Sequence, residues 1–516
     1  MTEPFTYNPA PPPNIPRGTF DDLPVLIAGG GVAGIAAAIR LAEYHVPVTL
    51  IETRPKLGGR ATSFVDPTTS DVLDNCQHVL MGCCTNLIDL YKRLSVYEHI
   101  TWHPEIYFHN GTSIPDVMRS GLLPAPLHLT ASFLKFKSLT RRDKYDIARA
   151  SSAIIRTSFK KRNDLDSLPF LDWLKKYKQS DSVIKKYWEP VIVSACNETL
   201  DKCSSRYALQ VFQEGFLHHK DAWLMGTSDV PLLELYDPAE DMIRRAGGTL
   251  RLTTPIDKYQ YDQDHNKVNS IRLSRSQESI NGAALISAVP FDRLEKLSSS
   301  EMVAADPRLQ HLNQFSVSPI IGIHIYAHLQ DNTPITELPH IVLTDSPIQW
   351  VFNKGMIEEG GQRLCHLHCV ISAAHDLVDK PASELADLAE TEIKRIFPVA
   401  QEADFLHTRA VKEKRATFSV TAGLDRYRPG AKPNSTHGIE NLFIAGDWTD
   451  IGWPATMEGA ARSGYQAAHA ALMYLVQQLP AEKQLHAEGL IPSLEKFLPP
   501  ELPSSPIYGS LSRLPG

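Results

Sequence analysis

The sequence predicts an α/β fold built on a parallel, Rossmann-like sheet, and three observations support this prediction. A short apolar run at residues 25–28, of the type found in buried strands, leads directly into the glycine-rich segment GGGVAG. A helical pattern follows, and a second apolar run at residues 48–51 ends in the acid Glu52. The chain returns to strand-like texture twice more, near residue 233 and near residue 441. A strand, glycine turn, helix, second strand and terminal acid are together typical of a dinucleotide-binding unit.

The glycine-rich segment fits the pattern GxGxxG with Gly29, Gly31 and Gly34. The first glycine allows a tight turn, the second lets the backbone approach a pyrophosphate, and the third lets helix and strand pack closely. Free N–H groups at the helix start face the phosphates, and Glu52 stands where an acid accepts hydrogen bonds from a ribose. The predicted cofactor contacts of this unit are Gly29, Gly31, Val32, Ala33, Gly34, Glu52 and Thr53.

The segment after the acid indicates which dinucleotide is bound. It leads to Gly58-Gly59-Arg60-Ala61, which resembles the second fingerprint of the superfamily of FAD-dependent amine oxidases and phytoene desaturases. In that superfamily the glycine-glycine-arginine segment wraps the FAD, and the arginine lies near its phosphates or ring. The resemblance implies FAD as the cofactor, with Gly58, Gly59, Arg60 and Ala61 among the residues that bind it.

Two later segments resemble the remaining FAD contacts of this superfamily. One is a strand that brings an apolar residue to the adenine, and the other is a strand ending in Gly-Asp, whose aspartate binds the ribityl chain or pyrophosphate. A helix expected to start near Thr456 would point its positive end at the flavin C2 carbonyl and favour the reduced, anionic ring. The contacts that this resemblance implies are Pro255, Ile256, Gly446, Asp447, Ala455, Thr456 and Met457.

The domain organisation follows from the three separate stretches of chain that resemble parts of an FAD-binding domain. Helical patterns dominate up to residue 216, and strand-like stretches dominate between residues 291 and 430, which together predict an inserted α+β substrate-binding domain. Both ends of the chain are polar and rich in proline, so we expect them to be disordered or loosely attached. The predicted boundaries are an N-terminal tail at 1–22, an FAD-binding domain at 23–100, 226–290 and 431–479, a substrate-binding domain at 101–225 and 291–430, and a C-terminal tail at 480–516.

Composition excludes several other classes of protein. The 516 residues carry a formal net charge of −7, so nothing points to a nucleic-acid partner. The seven cysteines show neither a disulfide framework nor a paired CxxC motif, so we expect no metal site and a reducing cytoplasm. No run approaches the ~18 apolar residues of a membrane span, and the N-terminus lacks a signal pattern.

Two motifs narrow the superfamily. LDNCQHVLMG at residues 73–82 and GDWTDIGWPATMEGAARSG at residues 446–464 resemble the hydroxysqualene dehydroxylase family, the squalene-associated FAD enzymes of hopanoid biosynthesis. The segment 123–127 adds to this resemblance. Cys76 stands where we expect glycine in relatives, and a positive φ at that position would strain a cysteine.

The resemblance implies a reductive reaction on a long isoprenoid. Protonation of the allylic hydroxyl of hydroxysqualene releases water, and hydride from reduced flavin at the resulting cation gives squalene. Such a site needs a proton donor and a dry tunnel whose aromatic faces stabilise positive charge. Trp448 and Trp453, beside the flavin motif, and Gln77 are the predicted substrate contacts.

The proton donor is predicted within the motif that distinguishes the family. Asp74 and His78 flank Gln77, and their spacing places them on one side of either a helix or a strand. The alternative is that Asp74 binds backbone amides and His78 is a satisfied core histidine. Glu458 is a second candidate that would otherwise bond at a helix start, and Asp450 is another possible acid.

Residues 121–144 combine apolar side chains with basic ones, the mixture of an interfacial membrane element. The expectation is peripheral contact with the inner face of the membrane, and the alternative is an ordinary amphipathic helix. Three other functions remain open: a carotenoid or phytoene desaturase, a flavin amine oxidase, and an FAD-bound scaffold without turnover.

Overall fold

The computed structural model describes residues 7–11, 15–112, 114–359, 361–434 and 437–513. Its strands are β1 (Val25–Ala28), β2 (Val48–Ile51), β3 (Ser63–Val65), β4 (Val72–Asp74), β5 (Val79–Met81), β6 (Ile100–His103), β7 (Glu105–Phe108), β8 (Asp116–Arg119), β9 (Met225–Ser228), β10 (Thr249–Arg251), β11 (Ile256–Asp262), β12 (Lys267–Leu273), β13 (Ser279–Asn281), β14 (Ala284–Ser287), β15 (Val317–His328), β16 (His340–Val342), β17 (Trp350–Glu359), β18 (Gln362–Ile371), β19 (Asp404–Phe418) and β20 (Leu442–Ile444).

The α-helices and two π-helical turns complete the secondary structure that positions the site. The α-helices are α1 (Val32–Glu43), α2 (Thr85–Arg93), α3 (Thr130–Leu134), α4 (Arg141–Arg156), α5 (Phe159–Asn163), α6 (Phe170–Lys176), α7 (Asp181–Val183), α8 (Glu189–Cys196), α9 (Ser205–Phe212), α10 (Pro238–Arg245), α11 (Phe291–Leu297), α12 (Ser300–Ala305), α13 (Ala382–Ile396), α14 (Met457–Gln477), α15 (Ala481–Leu490), α16 (Leu494–Phe497) and α17 (Pro506–Leu511). The π-helical turns span Ile184–Trp188 and Gln213–Leu217.

A five-stranded parallel sheet, in the order β10-β2-β1-β14-β20, forms the nucleotide-binding half of the molecule. Its strands come from three separate stretches of chain, as the sequence predicts. Alternate residues of β1 belong to two different apolar clusters, so both faces of the sheet are covered and the strand reads as a continuous apolar run. The carboxyl ends of the parallel strands meet at one edge. The predicted α/β fold with a discontinuous parallel sheet is confirmed.

A seven-stranded sheet, in the order β19-β15-β18-β17-β16-β7-β8, forms the second half. Long antiparallel strands make its centre, and α13 packs against it through Leu385, Ala389 and Ile393. Strands β7 and β8 come from the first inserted stretch and the others from the second, so both stretches build one sheet. Helices between residues 130 and 217 pack around Phe170 and Trp188 beside it.

The expectation of loosely attached ends is wrong for the described residues. Residues 481–511 form α15, α16 and α17 and bury apolar side chains such as Phe497 and Tyr508. The guanidinium of Arg40 lies 4.0 Å from the Phe497 ring and donates to its carbonyl at 3.0 Å. Near the other end, Ile15 and Phe20 are buried. Scattered apolar residues anchor these proline-rich segments, while residues 1–6, 12–14 and 514–516 lie outside the described residues.

Candidate active site

A groove of about 820 Å³ runs along the carboxyl edge of the parallel sheet. It begins at the turn after β1, where helix α1 starts after Gly31 without a side-chain cap and without an acid in its first turn. Its free N–H groups therefore suit an anion. Glu52 lines the groove and accepts from the N–H of Gly30 and of Arg54, each at 2.7 Å, which fixes its carboxylate at the end of β2.

Two glycine loops form one wall of this groove by direct contact. The N–H of Gly58 donates to the carbonyl of Gly30 at 2.9 Å, and a Cβ at Gly59 would lie 2.9 Å from the Cα of Gly31. Gly58 and Gly59 both have positive φ, at 96° and 62°, which favours glycine. The predicted second fingerprint therefore lies against the first, and together they leave a backbone-lined cradle for a pyrophosphate.

The third stretch of chain closes the groove. Arg60 forms an ion pair with Asp447, which follows β20, and donates to the carbonyl of Ala416 at 3.0 Å. Thr456 caps α14 by accepting from the N–H of Gly459 at 3.0 Å, so the helix begins where the sequence predicts. The residues predicted to bind the cofactor line the groove, except that Gly34 lies behind it: Gly29, Gly31, Val32, Ala33, Glu52, Thr53, Gly58, Gly59, Arg60, Ala61, Pro255, Ile256, Gly446, Asp447, Ala455, Thr456 and Met457.

A second cavity of about 1190 Å³ adjoins the groove. Its wall is mostly apolar, and its aromatic members are Phe108, Phe133, Phe136, Tyr145, Tyr187, Phe212, Phe216, Trp350 and Phe352. Both π-helical turns contribute to this wall, which agrees with the frequent occurrence of such turns at functional sites. The two cavities share one set of lining residues: Cys76, Gln77, Val79, Met81, Ser194, Ala195, Val211 and Ile320.

The predicted acids occupy different positions. Asp74 is buried outside both cavities, where it accepts from Ser63 Oγ at 2.8 Å and from the N–H of Leu232 at 3.0 Å. Asp74 therefore matches the alternative interpretation, in which its carboxylate binds backbone amides and is not the proton donor. Asp450 is exposed and lines neither cavity, so the expectation of an acid there is wrong.

His78 lines the groove, and its Nδ1 lies 2.9 Å from the carbonyl of Cys76. Since a carbonyl only accepts, Nδ1 carries the proton and Nε2 carries the lone pair. Burial lowers the pKa of His78, so the ring is neutral at pH 7. In this state Nε2 accepts a proton, which is the opposite of the predicted donor role.

Glu458 lies at the start of α14 and lines the groove, but its carboxylate bonds to the start of a different helix. It accepts from the N–H and the Nδ2 of Asn86 at 3.2 and 2.6 Å and from the N–H of Leu87 at 2.8 Å, at the first turn of α2. Burial raises the pKa of Glu458 to about 7, against these hydrogen bonds. The carboxylate of Glu458 therefore matches the alternative prediction, in which it bonds at a helix start. The helix is α2.

The two predicted tryptophans line the cofactor groove and not the apolar cavity. Trp448 is buried against Phe291 and Phe315 and donates from Nε1 to the carbonyl of Val289 at 3.2 Å. Their assignment as substrate contacts stays a prediction, since the groove they line adjoins the apolar cavity. Gln77 lines both cavities and stays a candidate substrate contact. Cys76 is absent from the residues with positive φ, so it fits there without backbone strain.

Several residues of the site were missed by sequence reasoning. Glu214 lines the groove from the second π-helical turn and pairs with Arg162 at 2.6 Å. Glu413 of β19 lines it too and accepts from Asn75 Nδ2 at 3.1 Å. Neither stands in a recognisable motif, because only long-range packing brings these two carboxylates to the groove. Among the described residues, no helix is both long and apolar enough to cross a bilayer.

Comparison with known proteins first defines the class. Solved structures with the same fold include a putrescine oxidase variant, with a TM-score of 0.66, 18% identity and coverage of 86% of this chain and 98% of that chain. The cyclohexylamine oxidase of Brevibacterium oxydans gives a TM-score of 0.60 at 17% identity, with coverage of 88% and 99%. The fold is thus that of the flavin amine oxidases.

The family follows from the sequence. The profile described as "Flavin containing amine oxidoreductase" matches residues 32–472, and the chain belongs to this family. The 15-cis-phytoene desaturase of Synechococcus elongatus is 25% identical over 466 residues, which cover 86% of this chain and 95% of the relative. That of Solanum lycopersicum is 26% identical, with coverage of 90% and 79%. A probable zeta-carotene desaturase of Synechococcus elongatus is 22% identical, with coverage of 87% and 98%.

Proposed function

We propose that this FAD-dependent oxidoreductase acts on a long isoprenoid, and that its reaction is the reductive removal of the allylic hydroxyl of hydroxysqualene to give squalene. The observation that supports the proposal most directly is that the apolar cavity adjoins the cofactor groove, with Gln77 among the residues that line both. A flexible hydrocarbon chain gains free energy by leaving water for such a cavity. The curated relatives named above act on isoprenoids by their printed names.

In this reaction the residues of the chain would bind the cofactor, enclose the substrate and stabilise the allylic cation. Bound FAD in its reduced form would supply the hydride. The glycine cradle and the first turns of α1 and α14 would hold the cofactor from two separate stretches of chain. Trp350 and Phe352, stacked at 5.5 Å between centroids, place aromatic faces beside the cavity, and such faces stabilise a cation. Trp350 Nε1 donates to Ser194 Oγ at 2.8 Å, which fixes one aromatic face at the junction.

Anaerobic incubation of the photoreduced holoenzyme with hydroxysqualene tests the proposal. We expect squalene as product and reoxidation of the flavin spectrum in proportion to it. No squalene and no reoxidation would reject the reaction. Because the assay monitors both product and flavin, it also separates loss of cofactor from loss of chemistry.

A carotenoid-type desaturase is the second candidate, and the state of His78 favours it. Desaturation moves hydride to the flavin and a proton to a base, and a neutral imidazole with a free Nε2 can accept that proton. The oxidised holoenzyme mixed with phytoene under anaerobic conditions would then lose its flavin absorbance. An amine such as putrescine, tested in parallel, would bleach the flavin only if the protein is an amine oxidase, and a scaffold would respond to none of these compounds.

We also propose that the segment 121–144 docks on an anionic membrane and receives substrate there. Leu122, Leu123, Leu127 and Leu134 are exposed, and the last two also line the mouth of the apolar cavity. The exposed cations Lys135, Lys137 and Arg141 make no side-chain hydrogen bond or ion pair with the described residues, so they are available to lipid phosphates. A cationic, apolar surface around a cavity mouth is conspicuous on a chain with a net charge of −7.

Co-sedimentation with liposomes tests this docking. The triple variant Lys135→Glu, Lys137→Glu, Arg141→Glu should lose most binding to vesicles that contain anionic phosphatidylserine, and wild-type binding should weaken with salt. The matched control reverses three exposed cations elsewhere, Arg245, Lys258 and Arg275, and should bind like wild type. Equal binding of both variants would reject the docking surface.

A further inference from the structure

The cofactor groove contains a pair of adjacent cysteines, Cys83 and Cys84. Of the seven cysteines of the chain, the other five are buried, whereas these two are partly accessible. Both line the groove, and they follow Met81, which belongs to the wall shared with the apolar cavity. The two partly accessible thiols therefore lie in the groove, close in sequence to the wall that it shares with the apolar cavity.

The backbone holds the two thiols in a tight turn. The N–H of Thr85 donates to the carbonyl of Cys83 at 2.9 Å, and Cys84 has φ −81° and ψ 63°, the geometry of an inverse γ-turn. The preceding Gly82 is required, because a Cβ there would lie 2.1 Å from the carbonyl oxygen of Asp221. The N–H of Met81 donates to Cys84 Sγ at 3.5 Å, and α2 begins at the next residue. The turn thus presents the sulfur of Cys84 to donors of positive partial charge.

We propose that Cys83 and Cys84 form a dithiol–disulfide couple that exchanges two electrons with the bound FAD. In the forward direction both S–H bonds break, one Sγ–Sγ bond forms, and the two electrons and two protons pass to the oxidised flavin. In the reverse direction the reduced flavin returns them and the disulfide opens. An external dithiol regenerates the pair by thiol–disulfide exchange. This inference rests on FAD binding and not on which isoprenoid is the substrate.

The proximity of the two residues along the chain makes such a disulfide reversible. Neighbouring Cα atoms are about 3.8 Å apart, less than the roughly 4.4–6.8 Å that disulfides usually span. A disulfide between them is therefore strained and easily reduced, as redox-active disulfides are.

The charge around the pair sets its pH dependence. A hydrogen bond with the Cys84 thiol raises the pKa of Cys83 well above its ordinary value, and burial and the carboxylates of Glu214 and Glu458 act in the same direction. Since the thiolate is the reactive form, electron transfer from the dithiol to FAD should accelerate by up to about tenfold per pH unit above neutrality.

Anaerobic reductive titration of the oxidised holoenzyme tests the couple. We expect wild type to consume two electron pairs per FAD, and Cys83→Ser and Cys84→Ser to consume one pair while they retain FAD. The oxidised wild-type peptide that contains both cysteines should be two hydrogen atoms lighter by mass spectrometry and resist alkylation. The matched control Cys196→Ser alters the buried pair Cys196 and Cys203 and should still consume two pairs.

Two results of this titration would overturn the inference. One electron pair in wild type, with both groove thiols freely alkylated after oxidation, rejects the couple. If Cys83→Ser consumes two electron pairs and Cys196→Ser consumes one, the disulfide lies between the buried Cys196 and Cys203. That result would also reject the inference. The mass measurement on wild type requires no variant, so an unstable variant cannot obscure the result.

Discussion

The cofactor groove and the apolar cavity meet at one wall but are built by different parts of the chain. Backbone builds the groove: glycine loops in contact, strand ends and the first turns of two helices. Side chains build the cavity, and they come from helices, π-helical turns and strands far apart in sequence. A single added Cβ should therefore be enough to abolish cofactor binding in the groove. The apolar cavity should tolerate most changes of side chain, except at the residues that it shares with the groove.

The largest expected effect is at the packing of α1 on β1. A Cβ at Gly34 would lie 1.9 Å from the carbonyl oxygen of Gly29, so Gly34→Ala should displace the helix from the phosphate cradle. We expect purified protein without FAD, measured by its absorbance spectrum, and a lowered Tm. The matched control Gly489→Ala, in α15 where no atom lies within 4 Å of the added Cβ, should retain FAD. Normal FAD content in Gly34→Ala would contradict a backbone-built groove.

The next largest expected effect is a loss of turnover when the wall shared by the apolar cavity and the groove is changed. Ala195 lies in the shared wall, and Ala195→Phe should obstruct the junction and lower isoprenoid turnover on the order of 100-fold while FAD remains bound. Ala148 lines the apolar cavity but not the groove, so Ala148→Phe should reduce turnover much less. Equal losses in the two variants would mean that the junction is not the constriction.

A smaller expected effect is a loss of folding stability at acidic pH. His324 and His366, buried behind the segment that carries Gln77, lie 3.0 Å apart between Nδ1 and Nε2, and His324 Nε2 contacts the carbonyl of Asp74 at 3.0 Å. Burial lowers the pKa of His324 to about 4 and that of His366 to about 3. Below pH ~6.5 the unfolded chain binds protons that the folded chain does not, so the free energy of unfolding should fall by roughly 3 kcal/mol per histidine towards pH 4.

Urea unfolding at several pH values measures this effect. His366→Gln should make the dependence on pH between 6.5 and 4 less steep, because one of several buried histidines with a lowered pKa is removed, among them His368 beside His324. The exposed His265, changed to Gln as a control, should leave the dependence as in wild type. A wild-type protein equally stable at pH 4 and pH 7 would contradict a neutral buried pair.

The smallest effect separates the two roles considered for Asp74. Asp74→Asn should reduce the free energy of unfolding by about 1–2 kcal/mol, since a charge-assisted acceptor for Ser63 and Leu232 becomes neutral, and should leave turnover near that of wild type. Asp264→Asn, at an exposed position, serves as the control for stability. A large fall in turnover without loss of stability would restore Asp74 as the acid.

Much of the groove could be predicted because its elements are local. The turn after β1, the acid at the end of β2 and the start of α14 each depend on a few neighbouring residues, and all three lie where the sequence places them. The surroundings of Asp74, Trp448 and Trp453 could not be predicted, because they depend on what lies across the fold. Asp74 meets the N–H of Leu232, more than one hundred and fifty residues away.

The sequence by itself determined the parallel sheet, the FAD site and its three segments, since glycine spacing and strand ends are local constraints on backbone. The tertiary structure alone decided that an apolar cavity adjoins that groove, that Glu458 caps α2, and that Cys83 and Cys84 line the groove. These features arise from side chains of distant segments that meet only when both halves of the molecule pack, and no short pattern along the chain encodes such a meeting.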